Sequence, residues 1–156
     1  MVKDEKKTFL IRETQEEDIG YVALNMRPED VIEIWSSNRV RPLDALRMGF
    51  DYSEKCYTLV YNGKPTAIFG ALPNPTQKRF ACIWLLATPE VEEAWMYFGR
   101  QSRAIIAMFK DLFGTLYNHV DARNKKSIAW LTWCGAKIHS AKPLGPDNLP
   151  FHYFTI

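Results

Sequence analysis

Asn124-Lys-Lys-Ser127-Ile-Ala-Trp130-Leu131-Thr-Trp133-Cys-Gly135-Ala136 follows a β-rich run and carries both punctuation marks of a short helix. Asn caps a helix start by accepting a hydrogen bond from a first-turn N–H, and Gly takes the left-handed conformation that ends one. The stretch therefore predicts a helix entered directly from a strand. Thr115-Leu-Tyr-Asn-His-Val-Asp121 supplies that strand. Before it, Thr88-Pro89-Glu90 places a hydroxyl cap, a first-turn proline and an acid at the start of a long helix. Apolar residues then recur at Val91, Ala94, Trp95, Phe98, Ile105, Ile106, Phe109, Leu112 and Phe113, with a polar interruption at Ser102 and a stop at Gly114.

Further upstream, Phe80-Ala-Cys-Ile-Trp-Leu-Leu-Ala87 is a continuous apolar run, as a strand buried on both faces requires. Cys56–Tyr61 and Pro65–Leu72 flank Asn62-Gly63, a pair suited to the positive φ angles of a tight hairpin. The N-terminal part reads as a strand over Thr8–Arg12 and a helix start at Thr14-Gln-Glu-Glu-Asp. A second helix covers Arg27–Trp35, with Val31, Ile32, Ile34 and Trp35 as its apolar stripe, and a third, Pro42–Met48, is stopped by Gly49. After the quoted stretch come Ala136–His139, a Pro/Gly/Asn loop from Pro143 to Pro150, and a terminal strand over Phe151–Ile156. The expected fold is α/β (α+β), a mixed central sheet of about six to seven strands flanked by helices. Residues 1–7 form a charged, mobile tail and residues 8–156 a single domain.

With 156 residues, 47% of them apolar, the chain buries about two-thirds of its unfolded surface. A net charge of +2 gives no ground for a nucleic-acid or membrane partner. Cys56, Cys82 and Cys134 match neither zinc spacing nor a disulfide framework, so reduced thiols and no metal are expected. No signal-peptide core and no apolar run of membrane-spanning length occurs, which predicts a protein that stays in the cell that makes it or is packaged there.

The Asn124, Ser127 and Gly135 spacing resembles the C-terminal strand–helix unit of GNAT-fold acyl-CoA N-acyltransferases, and the element order resembles that family's across about 140 residues. A narrower set resembles a GNAT-like family of short-tailed bacteriophages, described as internal virion or particle-assembly proteins or as acetyltransferases. Its residues are Ile83-Trp84-Leu-Leu-Ala-Thr88, Tyr117-Asn-His-Val120, Ile128-Ala-Trp-Leu131, Gly135-Ala136 and the terminal Phe-Thr-Ile. That resemblance implies the host cytoplasm or the virion as location, and a phage or host protein as partner.

The wider resemblance implies acetyl-CoA as cofactor, its pyrophosphate held on backbone N–H groups of a Gly-rich turn and a helix N-terminus. Here Arg100, Gln101 and Ser102 stand at the Gly-x-Gly place, with Gly99 one position early. Two readings stay open. Either Arg100 and Arg103, or the helix start at Thr88–Val91, bind phosphate, or the arginines sit on the solvated face of an unbroken helix. The backbone at Leu86–Ala87 is the place for a thioester carbonyl, beside Thr88. Asn124 either contacts the pantetheine arm or only caps its helix.

The family's Tyr four residues before the Gly is Leu131 here, which has no proton to give. Tyr117 and Tyr153 are its possible substitutes. Candidate bases are Asp121 and His119, which share a strand face, and Glu90, Glu92 or Glu93. Two functions follow: a degenerate acyltransferase scaffold used in phage particle assembly or as an internal virion component, or an active acetyl-CoA-dependent N-acetyltransferase modifying a small amine or a host protein. Interruption of the long helix near Gly99–Ser102 discriminates them.

Overall fold

The computed structural model describes residues 7–156, so the expected tail lies outside the described residues except for Lys7. Along the chain run β1 (Phe9–Glu13), α1 (Glu16–Leu24), α2 (Pro28–Asn38), α3 (Pro42–Tyr52), β2 (Lys55–Tyr61), β3 (Lys64–Pro73) and β4 (Phe80–Ala87). Then follow α4 (Val91–Phe113), β5 (Thr115–Asp121), α5 (Lys125–Trp133), β6 (Lys137–Ile138), β7 (Lys142–Leu144) and β8 (Leu149–Thr155). They build one mixed sheet in the order β1-β2-β3-β4-β5-β8-β6, with β7 added to β8. Short β7 is the strand that the sequence pattern leaves inside a loop. It returns through a turn in which Gly145 and Asn148 take positive φ.

Period-two alternation sends the two faces of the sheet into two cores. Ala67, Phe69, Ile83 and Leu85 pack under α4 and α5, while Ile68, Trp84 and Leu86 pack under α1 and α3. Asn62 and Gly63 turn the β2–β3 hairpin with φ of 50° and 76°. At the other end, Asn124 Oδ1 accepts from the Ser127 N–H at 3.2 Å. Gly135, at φ 90°, closes α5 as Ala136 N–H reaches the Leu131 carbonyl and Gly135 N–H that of Thr132.

Helix α4 begins at Val91 with Glu90 rather than Thr88 as its N-cap, and one detail in each of the first three helices also differs from the sequence reading. The N-cap of α1 is Gln15 rather than Thr14, and Asp18 Oδ2 accepts from the Gln15 N–H at 2.8 Å. Helix α3 runs through Gly49, because tertiary packing needs the missing side chain: a Cβ there would lie 2.5 Å from the Trp84 ring. In α2, Val31 and Ile34 pack inward, but Ile32 and Trp35 are exposed while Asp30 and Ser36 are buried.

Gly114 ends α4 at φ 88°, where a Cβ would sit 2.4 Å from the Arg79 carbonyl oxygen. Gly114→Ala therefore combines backbone strain with a clash against main chain and is expected to cost about 2–4 kcal/mol in urea unfolding. A loss under about 1 kcal/mol would show that the β4 entry loop gives way.

Candidate functional site

Strand β4 pairs with β5 in parallel only over Phe80–Cys82 and Thr115–Tyr117. Beyond that the strands separate, and Asn118 Nδ2 bridges the start of the gap by donating to the Ile83 carbonyl at 2.7 Å. A cavity of about 850 Å³ opens there. It reaches Met48 and Trp84 on the α3 side of the sheet and Trp95, Trp130 and Leu131 on the α4–α5 side.

Helix α2 carries charge into this gap. Arg27 precedes Pro28 at its start, and spacing of three residues puts Arg27, Asp30 and Glu33 on one side of the helix. Asp30 Oδ2 accepts from Arg27 Nε and from the Ala87 N–H, both at 2.8 Å. The Arg27 N–H donates to the Ala87 carbonyl at 2.8 Å. Arg27 Nη2 reaches Ser127 Oγ at 3.3 Å, and Asn124 Nδ2 donates to Glu33 Oε2 at 3.0 Å. One network thus ties α2 to the end of β4 and the start of α5.

Burial pushes the Glu33 carboxyl up to about 7; donation from Asn124 and the Asp121 N–H opposes this, and the charges of Asp30 and Asp121 add to it. Burial also raises the Asp30 carboxyl, against the pull of Arg27. Burial alone would raise Asp121 too, but hydrogen bonds from Arg123 hold it below the usual carboxylate range. Asp121 is therefore an ionised structural partner of Arg123. Burial lowers His119, whose ring lies 5.3 Å from that of Tyr153 and which lines the cavity. No hydrogen bond joins His119 to Asp121 among the described residues.

The residues marked for a cofactor are placed as follows. Both peptide groups of Ala87 are taken by α2, and Thr88 N–H is taken by the Thr66 carbonyl at 2.8 Å. Leu86 lines the cavity with its side chain, and neighbouring Leu85 lies between Ile83 and Ala87 in the alternation, so its peptide opens into the gap. Asn124 caps α5 and holds Glu33. Arg103 donates to the Trp133 carbonyl from Nε and Nη2 at 3.1 and 2.9 Å, its guanidinium 3.6 Å over the Trp133 ring. Arg100 is exposed. Leu131 lines the cavity, and Tyr117 accepts from Asn74 Nδ2 through its hydroxyl.

Helix α4 runs unbroken through Gly99–Ser102. Ser102 fits its buried face because Oγ donates to the Gly99 carbonyl at 2.6 Å and accepts from Trp130 Nε1 at 3.2 Å. At the helix start the Val91, Glu92 and Ala94 N–H groups close on the Thr88, Pro89 and Glu90 carbonyls. Glu92 and Glu93 occupy the first turn, each paired with a lysine. Three of the first amides are thus spent inside the helix and carboxylates stand in its first turn, so these residues do not fit a CoA diphosphate.

Arg27, Asp30 and Glu33 are the site residues that sequence reasoning missed. Their signal was the i, i+3 spacing of charges within one short helix.

Splayed parallel strands, the α4 crossover between them and the capped α5 after β5 together define the GNAT fold of N-acetyltransferases. No family model and no curated protein sequence matches the chain. Solved structures do. A ribosomal-protein-alanine N-acetyltransferase from Brucella melitensis superposes with TM-score 0.72 at 15% identity, over 94% of this chain and 98% of that one. An acetyltransferase (GNAT family) from Bacillus anthracis gives 0.70 at 12% identity, over 95% and 93%. A spermidine N-acetyltransferase from Vibrio cholerae, in complex with CoA and spermine, gives 0.68 at 16% identity, over 95% and 94%.

Proposed function

We propose that this chain is an acyltransferase scaffold that does not turn over acyl-CoA and that works through protein contact. Unbroken α4, with carboxylates in its first turn, carries this reading. A diphosphate needs unspent amides and a positive helix end, and those are the groups that the helix start withholds. Exposed Met96, Tyr97, Leu112 and Trp133 offer apolar contact area for a partner. The narrower resemblance, carried by motifs within residues 80–156, makes particle assembly or an internal virion role the particular form we propose.

A second reading, N-acetyltransferase on a small amine or a protein amine, has Glu33 in its favour. A carboxylate that titrates near neutrality at the gap has the properties of a general base.

Calorimetric titration with acetyl-CoA, with desulfo-CoA and ATP as controls, decides between them. The scaffold reading expects no heat at millimolar ligand. Saturable micromolar binding would overturn it and direct attention to Glu33.

A further inference from the structure

Among the described residues, the cavity holds one carboxylate without an ion-pair partner. Asp30 engages Arg27 and Asp121 engages Arg123, while Glu92 engages Lys126 at the rim. Glu33 lies among these pairs and, among the described residues, receives only neutral donors, the Asn124 amide and the Asp121 N–H. The walls around it are largely apolar, with Ile34, Met48 and Leu131 among them. Trp84 stands on one side of the sheet, and on the other the Trp95 and Trp130 rings meet edge to face at 5.2 Å. Sites that enclose small organic molecules span about 300–1,000 Å³, a range that contains this cavity of about 850 Å³.

We propose that the cavity binds an organic monocation with an apolar body, its charge held by Glu33 and its body by the tryptophan-bearing walls. The charge count sets the valence at one. A second positive centre would be desolvated beside Arg27 or Arg123, or among apolar side chains, with no partner. Indole faces favour a large, weakly hydrated ammonium over a compact one.

Without a cation the site resolves the same conflict by protonating Glu33, whose carboxyl burial pushes up to about 7. Binding therefore displaces a proton, and affinity rises with pH through neutrality. Charged groups that act on Glu33 are Arg27 and Asp30 at the start of α2, and Asp121 and Arg123 at the end of β5; Lys126 of α5 and Glu92 of α4 line the same cavity. Arg123 keeps Asp121 ionised across that window, and burial lowers His119, which favours its neutral imidazole.

Benzyltrimethylammonium tests this, because its charge is independent of pH and it cannot be acylated. Its binding is therefore separable from the outcome with acetyl-CoA. Titrated calorimetrically into the full chain, it is expected to bind saturably at one site at pH 8 and about tenfold more weakly at pH 6, where most Glu33 is protonated. Glu33→Gln is expected to lose affinity at least tenfold, and neither benzyl alcohol nor spermine is expected to compete. Equal affinity at the two pH values, undiminished binding in the variant, or no saturable binding at pH 8 would overturn the proposal. The pH comparison uses the unsubstituted chain, so it stays decisive even if the variant folds poorly.

Discussion

Asp30→Ala is expected to destabilise the protein by about 3–5 kcal/mol, the scale for breaking a buried ion pair by removing one partner. Asp30 and Arg27 are 4% and 8% exposed, so the guanidinium left behind has little water to turn to. The same substitution strips the acceptor from the Ala87 N–H and unties α2 from β4. With a slope of about 2 kcal/mol per molar urea, the midpoint should fall by about 2 M. The double replacement Arg27→Met with Asp30→Leu removes both charges and fills the space but still leaves the Ala87 N–H without its acceptor, so it should recover about half of the loss. A single-variant loss below about 1 kcal/mol would mean that water reaches Arg27, and that α2 does not close the gap as described.

Which parts of this arrangement could be read from sequence follows from how local their causes are. Asn124 and Gly135 act on their own backbone, as do Asn62 and Gly63, so their turns were legible from residue type and spacing alone. The unbroken α4 was open to two readings because the resemblance put a Gly-x-Gly turn at Arg100, Gln101 and Ser102, while the apolar spacing ran on past Ser102. Its hydroxyl satisfies itself on the Gly99 carbonyl and on Trp130, a contact made across two helices. Gly49 reads as a helix stop because local rules give glycine that role, whereas the Trp84 ring, brought by a distant strand, is what requires it.

Helix α2 was the least legible element. Its strongest apolar residues, Ile32 and Trp35, face outward, and its charged side turns into the gap. Conflict between pattern and placement of this kind concentrates at sites with a role beyond packing. Asp121 shows the reverse: the sequence offered it as a base, and its own neighbour Arg123, two residues on, keeps it ionised. Glu33 was passed over because burial, not residue type, gives it a proton near neutral pH.

Glu33→Gln is expected to stabilise the protein at pH 8 by about 2 kcal/mol and to change it little at pH 5. In the folded protein the Glu33 carboxyl titrates near 7, against 4.5 when exposed, so the native state keeps a proton that the unfolded chain releases between those values. Stability from this group is thus full below pH 4.5, falls as pH rises toward 7, and stays reduced above it. At about 1.4 kcal/mol per pH unit the difference approaches about 3 kcal/mol, and partial contact with cavity water lowers it to about 2. Glutamine carries no charge at either pH, and its carbonyl can still accept from Asn124. For a chain of this size the gain at pH 8 corresponds to a rise of about 4–8 °C in Tm, readable by calorimetry. Saturating benzyltrimethylammonium supplies the missing cation to the unsubstituted protein alone, so it should narrow the gap between the two at pH 8. A Tm difference equal at pH 5 and pH 8 would show that Glu33 does not change protonation on folding, and would remove the electrostatic basis for a cation in this cavity.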